Sequence, residues 1–175
     1  MKNIDINRFS LRALSIILGG GMSSRLFQEI REKKGLCYSI FSFTQMQNSS
    51  GVFGFYAGTS PKDVDYLLES SLTEVKKIKK FISAEELNRA KAQMKSSFIM
   101  GHESNSSRSE YFAKNMINFG KIIGADEIIE SIEKISINSI YDLCDKLLTS
   151  ANPVLSVIGP NANSLKKLEI SKILN

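Results

Sequence analysis

Between Asn7 and Leu18 the apolar residues Phe9, Leu11, Ala13, Leu14, Ile16, Ile17 and Leu18 crowd almost every position. So dense a run suits a helix buried on most sides, although the stretch before the glycines also reads as a strand. Gly19-Gly20-Gly21 breaks the pattern, after which Leu26, Phe27 and Ile30 recur at helical spacing. A second helix is predicted, capped by Ser23 or Ser24 and stopped at Gly35. Past Gly35 the period changes: Tyr38-Ser39-Ile40-Phe41-Ser42-Phe43-Thr44, a polar Gln45 to Ser50 turn, and Gly51 to Ala57 predict a β-hairpin.

Ser60-Pro61-Lys62-Asp63 reads as a helix start, with a capping Ser and Pro in the first helical position. Val64, Leu67, Leu68, Leu72, Val75 and Ile78 continue it as an amphipathic helix. Ser83-Ala84-Glu85-Glu86 forms a capping box for another, whose apolar positions Leu87, Ala90, Met94 and Phe98 run toward His102. Helical patterns follow over about Ser106 to Phe119, Asp126 to Ile135 and Ile140 to Leu148, and Pro153 to Gly159 reads as a short buried strand. The plan is α+β, with helices packed on one face of a mostly antiparallel sheet. Residues 1–160 are expected to form a single domain, with 161–175 as a C-terminal tail.

Composition narrows the chemistry. The chain of 175 residues has one His, two Cys and a net charge of +5 spread along its length. A zinc site built on two or three His cannot be assembled, and a Cys–His or Ser–His mechanism has only one possible base. Cys37 and Cys144 fit no disulfide or C-x-x-C framework, so reduced thiols are expected, a weak sign of a reducing, cytoplasm-like compartment. Lys76-Lys77-Ile78-Lys79-Lys80 and Lys166-Lys167 read as solvated helix ends; without interleaved aromatics or a recognition motif, nucleic acid is not expected as a partner. No apolar run approaches the ~20 residues of a membrane span.

The run from Leu18 to Ser39, LGGGMSSRLFQEIREKKGLCYS, carries the most information. The dinucleotide fingerprint fails because position 24 is Ser24, and no G-K-[ST] phosphate loop is present; an unspecific anion site at Gly19 to Ser24 stays open. Arg31 and Tyr38 lie across a helix end, a reversing Gly35 and a strand start, so both side chains can reach one cleft. An Arg fork beside a phenol suits a peptide carbonyl or a tetrahedral oxyanion. The plainer alternative is a surface Arg and a strand Tyr packed in the core.

Taken whole, this run closely resembles the C-terminal homologous domain of the insulinase, pitrilysin and mitochondrial-processing-peptidase family of zinc metallopeptidases. The resemblance extends over about residues 8 to 160, through the aromatic hairpin, the Ser60-Pro61 helix and the Glu103-Ser104-Asn105-Ser106-Ser107-Arg108 segment. It implies that Arg31 and Tyr38 bind substrate and its transition state opposite the zinc. It also implies that Gly19, Gly20, Gly21 and Met22 form a substrate-engaging loop, whose alternative is a tight turn packed on the sheet. The inverted H-x-x-E-H signature is absent: the motif starting at His102 would need Glu at 105, which is Asn105, and H-E-x-x-H would need His at 106, which is Ser106.

His102 therefore reads as a helix-end residue, and no metal ligands are expected in this chain. Zinc would come from an N-terminal peptidase domain or an H-x-x-E-H-bearing subunit. The family's half-domain opens with a strand before its first helix, which is missing here, so an edge open to a partner or to a second copy is expected. The function implied is the substrate-binding half of a zinc metalloendopeptidase, occurring as a fragment or split subunit and inactive alone. The alternative is a non-catalytic scaffold of the same fold.

Overall fold

The computed structural model describes residues 7–46, 51–150 and 153–160. Along the chain these form α1 (Asn7–Gly19), a π-helix (Phe27–Lys33), β1 (Cys37–Met46), β2 (Gly51–Thr59), α2 (Val64–Ile78), α3 (Ala84–Gly101), α4 (Asn105–Phe119), α5 (Ala125–Glu133) and α6 (Ile137–Ser150). The fold is α+β, with helices on one face of a two-stranded antiparallel hairpin. The ambiguous first stretch is a helix. Its near-continuous apolar sequence is explained by its place: Leu11, Ala13, Leu14, Ile17 and Leu18 are all buried, with β1, α2, α3 and α6 packed around it. Two hydroxyl pairs enter this core, Ser10 with Ser139 and Ser15 with Ser42, each at 2.9 Å, while the buried Ser71 hydroxyl finds no partner among the described residues.

Strand alternation divides the hairpin into two unlike faces. Ile40 and Ser42 of β1, with Phe53, Phe55 and Ala57 of β2, face the helices. Phe41, Phe43, Val52 and Tyr56 are exposed, with the Phe41 and Tyr56 rings 5.2 Å apart across the ladder. The predicted turn at Gln45 to Ser50 includes 47–50, which lie outside the described residues; β1 itself runs on to Met46.

The Ser83 capping box is present as predicted: the Ser83 N–H donates to Glu86 Oε2 at 2.9 Å and the Glu86 N–H to Ser83 Oγ at 3.1 Å. Glu86 also receives Arg25, Nε to Oε1 at 2.7 Å and Nη2 to Oε2 at 2.8 Å, which ties the segment after the glycines to the start of α3. Burial disfavours the Glu86 carboxylate, but the Arg25 fork and the Ser83 N–H outweigh it and hold its carboxyl below the usual range.

Three expectations are corrected. Ser60 does not cap a helix: its hydroxyl donates to Asp63 Oδ2 at 2.6 Å, Pro61 to Asp63 form a turn, and α2 begins only at Val64. The local Ser–Asp bond competes with helix nucleation and wins. Neither Ser23 nor Ser24 caps the second helix, because Ser24 Oγ donates to the Gly21 carbonyl at 2.6 Å. Pro153 to Gly159 is not a buried strand. No strand among the described residues pairs with it, and Val154 and Ile158 are 91% and 98% exposed. Apolar, β-branched residues favour a strand only where a ladder partner is supplied.

Candidate functional site

The segment between the glycine turn and β1 departs from regular structure at three successive points. Phe27–Lys33 is a π-helix rather than the α-helix its spacing suggested, with Leu26 and Ile30 wholly buried beneath it. Past its Lys34 cap the chain reverses at Gly35, whose φ of 62° lies in the left-handed region, and the Leu36 N–H closes back onto the Ile30 carbonyl at 3.0 Å. The ladder then pairs Cys37 with Thr59 and Ser39 with Gly58, which leaves Tyr38 as an extra residue in a β-bulge. Counting back by two from buried Ile40 would aim Tyr38 at the helices. The bulge turns it out, and Tyr38 is 86% exposed.

These irregularities bring Arg31 and Tyr38 together. The Arg31 guanidinium carbon lies 5.4 Å from the centroid of the Tyr38 ring and 4.5 Å from that of Phe27. Its side chain is 35% exposed, and its only ion pair among the described residues is a loose one, Nε to Glu32 Oε1 at 3.7 Å. The arrangement is a wet, cationic and phenolic corner with hydrogen-bond donors to spare. Beside it the half-buried Cys37 thiol is pushed up by burial, with the Arg31 charge acting the other way. Phe27, four positions before Arg31, was missed as part of this cluster by sequence reading; an aromatic preceding an Arg by one helical turn was the signal.

The glycine turn is separate. A Cβ on Gly19 would lie 2.5 Å from the Ser42 backbone nitrogen, and one on Gly20 would lie 2.5 Å from Ile16 Cα, so both glycines serve close packing. Gly21 meets nothing within 4 Å. Met22 is 74% exposed, and its carbonyl accepts from Gln28 Nε2 at 2.6 Å. Gly20, Gly21 and Met22 line a recess of about 350 Å³ with Ile16, Glu86 and Gln93, which neither Arg31 nor Tyr38 borders.

The residues present do not fit a zinc ion. Among the described residues no three His, Cys, Asp or Glu side chains come together to hold a metal. His102 sits at the C-terminal cap of α3, its Nδ1 bonded to the Phe98 carbonyl at 2.8 Å and its ring against Phe98 and Tyr111. Cys37 and Cys144 are free thiols, and burial raises the Cys144 thiol to about 11. No helix among the described residues is long and apolar enough to cross a membrane.

Comparison with known proteins agrees with the resemblance carried by the Leu18 to Ser39 run. A family model described as the peptidase M16 inactive domain matches residues 5–94. An "uncharacterized zinc protease" of Rickettsia felis is 40% identical over 159 residues, covering 90% of this chain and 38% of that protein. The chain thus spans little more than a third of the relative's length. Among solved structures, a protease from Helicobacter pylori superposes with a TM-score of 0.73 at 27% identity, over 83% of this chain and 35% of that one. An inactive peptidase domain from Bordetella parapertussis shares the fold, with a TM-score of 0.72 at 18% identity over 82% of this chain and 79% of that one. The chain belongs to the M16 peptidase family, as a domain of its inactive, C-terminal type.

Proposed function

We propose that this domain is the substrate-binding half of a zinc peptidase, and that Arg31 and Tyr38 are the groups through which it holds a peptide. The supporting observation is their juxtaposition: a guanidinium 5.4 Å from an outward-turned phenol ring. The guanidinium has five N–H donors and the phenol one O–H. Donated to a peptide carbonyl, they orient it; donated to the oxyanion that forms on hydrolysis, they stabilise charge where it develops. Gly21 and Met22, free of the packing duty of Gly19 and Gly20, offer a second stretch for the substrate.

Zinc, the attacking water and its base belong, in this reading, to an H-x-x-E-H-bearing peptidase domain or subunit that pairs with this one. No step of the hydrolysis is assigned to a residue of this chain beyond binding the carbonyl oxygen. The test is recombination of the chain with such a partner and measurement of peptide cleavage. Replacing Arg31→Ala and Tyr38→Phe together is expected to lower kcat about 10²-fold, the scale of losing an oxyanion donor. Full activity in the double variant would refute substrate binding and leave a scaffold role.

A further inference from the structure

The Arg31 guanidinium makes no hydrogen bond among the described residues, and its only carboxylate contact, Glu32 at 3.7 Å, is on a half-exposed neighbour that fixes little. What it does touch is aromatic: its carbon lies over the rings of both Phe27, at 4.5 Å, and Tyr38, at 5.4 Å. The π-face of a ring attracts the guanidinium plane and leaves the in-plane N–H groups free for a ligand. The two rings are not equally firm. Tyr38 stands out in solvent on its bulge, whereas Phe27 is half-buried and follows Leu26, which with Ile30 anchors the π-helix in the core.

We propose that Phe27 is a positioning residue for Arg31, the rigid wall of an aromatic cradle that orients the guanidinium for a peptide carbonyl. The inference rests on the substrate-binding reading above and deepens it. Phe27 touches no substrate; it acts by restricting a long side chain that otherwise spends its donors on water. An aliphatic side chain of similar bulk at position 27 preserves the packing and loses the effect, while another ring preserves both.

The test uses the full chain with ¹⁵N-labelled arginine. In the parent, the Arg31 Nε–H is expected to show the heteronuclear NOE of an ordered group and an upfield ring-current shift. Phe27→Leu is expected to abolish both with an unchanged melting temperature, and Phe27→Tyr to retain both. In the complex recombined with an H-x-x-E-H-bearing partner, Phe27→Leu is expected to lower kcat about two- to five-fold, the worth of one exposed cation–π contact, with KM nearly unchanged. Phe27→Tyr should restore it. An Arg31 Nε–H as ordered and shifted in Phe27→Leu as in the parent would overturn the cradle whatever the kinetics show. Should Arg31→Ala itself leave turnover unchanged, the substrate-binding reading fails instead, and the NMR comparison still decides whether Phe27 holds the guanidinium.

Discussion

Replacing Gly19 by Ala tests how tightly α1 is pressed onto the sheet. The added methyl would sit 2.5 Å from the Ser42 nitrogen and 3.0 Å from the Ser42 Cβ, whereas ordinary contact begins near 3.4 Å. Backbone on both sides leaves no flexible side chain to give way, so α1 and β1 must part by about 0.9 Å. That separation also stretches the Ser15–Ser42 hydroxyl pair, which is 2.9 Å long and partly buried. Overpacking of this kind costs about 1–3 kcal/mol. Ala recovers at most about 1 kcal/mol through its helix propensity, less at a helix end.

A net loss of about 1–2 kcal/mol lowers Tm by about 2–8 °C for a domain of this size, readable by circular dichroism at 222 nm. Gly101→Ala is the control: it lies at the end of α3 with nothing within 4 Å of its Cβ, and is expected to be neutral or to stabilise by up to about 1 kcal/mol. A Gly19→Ala chain that melts at or above the parent would show that the glycine is not there for close approach, and the account of the turn as a packing device would fall.

Other consequences are equally direct. The Glu86 carboxyl is held below its unfolded value of about 4.3, so its contribution to stability is present above that pH and is lost as the pH falls through the lower, folded value. Urea midpoints taken from pH 6 to pH 3 should fall less steeply in Glu86→Gln than in the parent; parallel curves would remove the pair from the explanation of acid sensitivity. The Tyr141 hydroxyl accepts the Ile82 N–H at 2.9 Å, so Tyr141→Phe leaves that buried-residue donor unpaired and should cost about 1–3 kcal/mol in urea unfolding. At pH 8 a thiol reagent should label Cys37 slowly and Cys144 only on unfolding, since the latter is buried and titrates near about 11; rapid modification of both in the native chain would contradict the packing of α6.

Much of the fold was legible wherever local chemistry and tertiary packing agree. Ser83 and Glu86 announce α3 because both halves of the capping box are satisfied within four residues. The dense apolar run of α1 marks a helix surrounded by others, though its type had to wait for the structure, since burial on all sides erases the period that separates helix from strand. Ser60-Pro61 misled because a cap and a turn use the same atoms, and the hydroxyl chose the Asp63 side chain. Pro153 to Ile158 misled because strand identity belongs to a pair, and a single sequence shows only one member.

The two residues proposed for the site were reached by a different route. Arg31 and Tyr38 were named through kinship, and their neighbourhood has a physical origin that spacing alone does not reveal. A π-turn is a one-residue widening of the helix, a bulge is a one-residue excess over the opposing strand, and both exist only relative to a backbone partner. Between them stands Gly35, in a conformation other residues enter only at a cost. What the irregularities achieve together is to turn Tyr38 outward and to set Arg31 beside it. Three departures from regularity within so short a segment, with an exposed phenol beside a guanidinium as their result, are what the proposed substrate-binding reading would draw on.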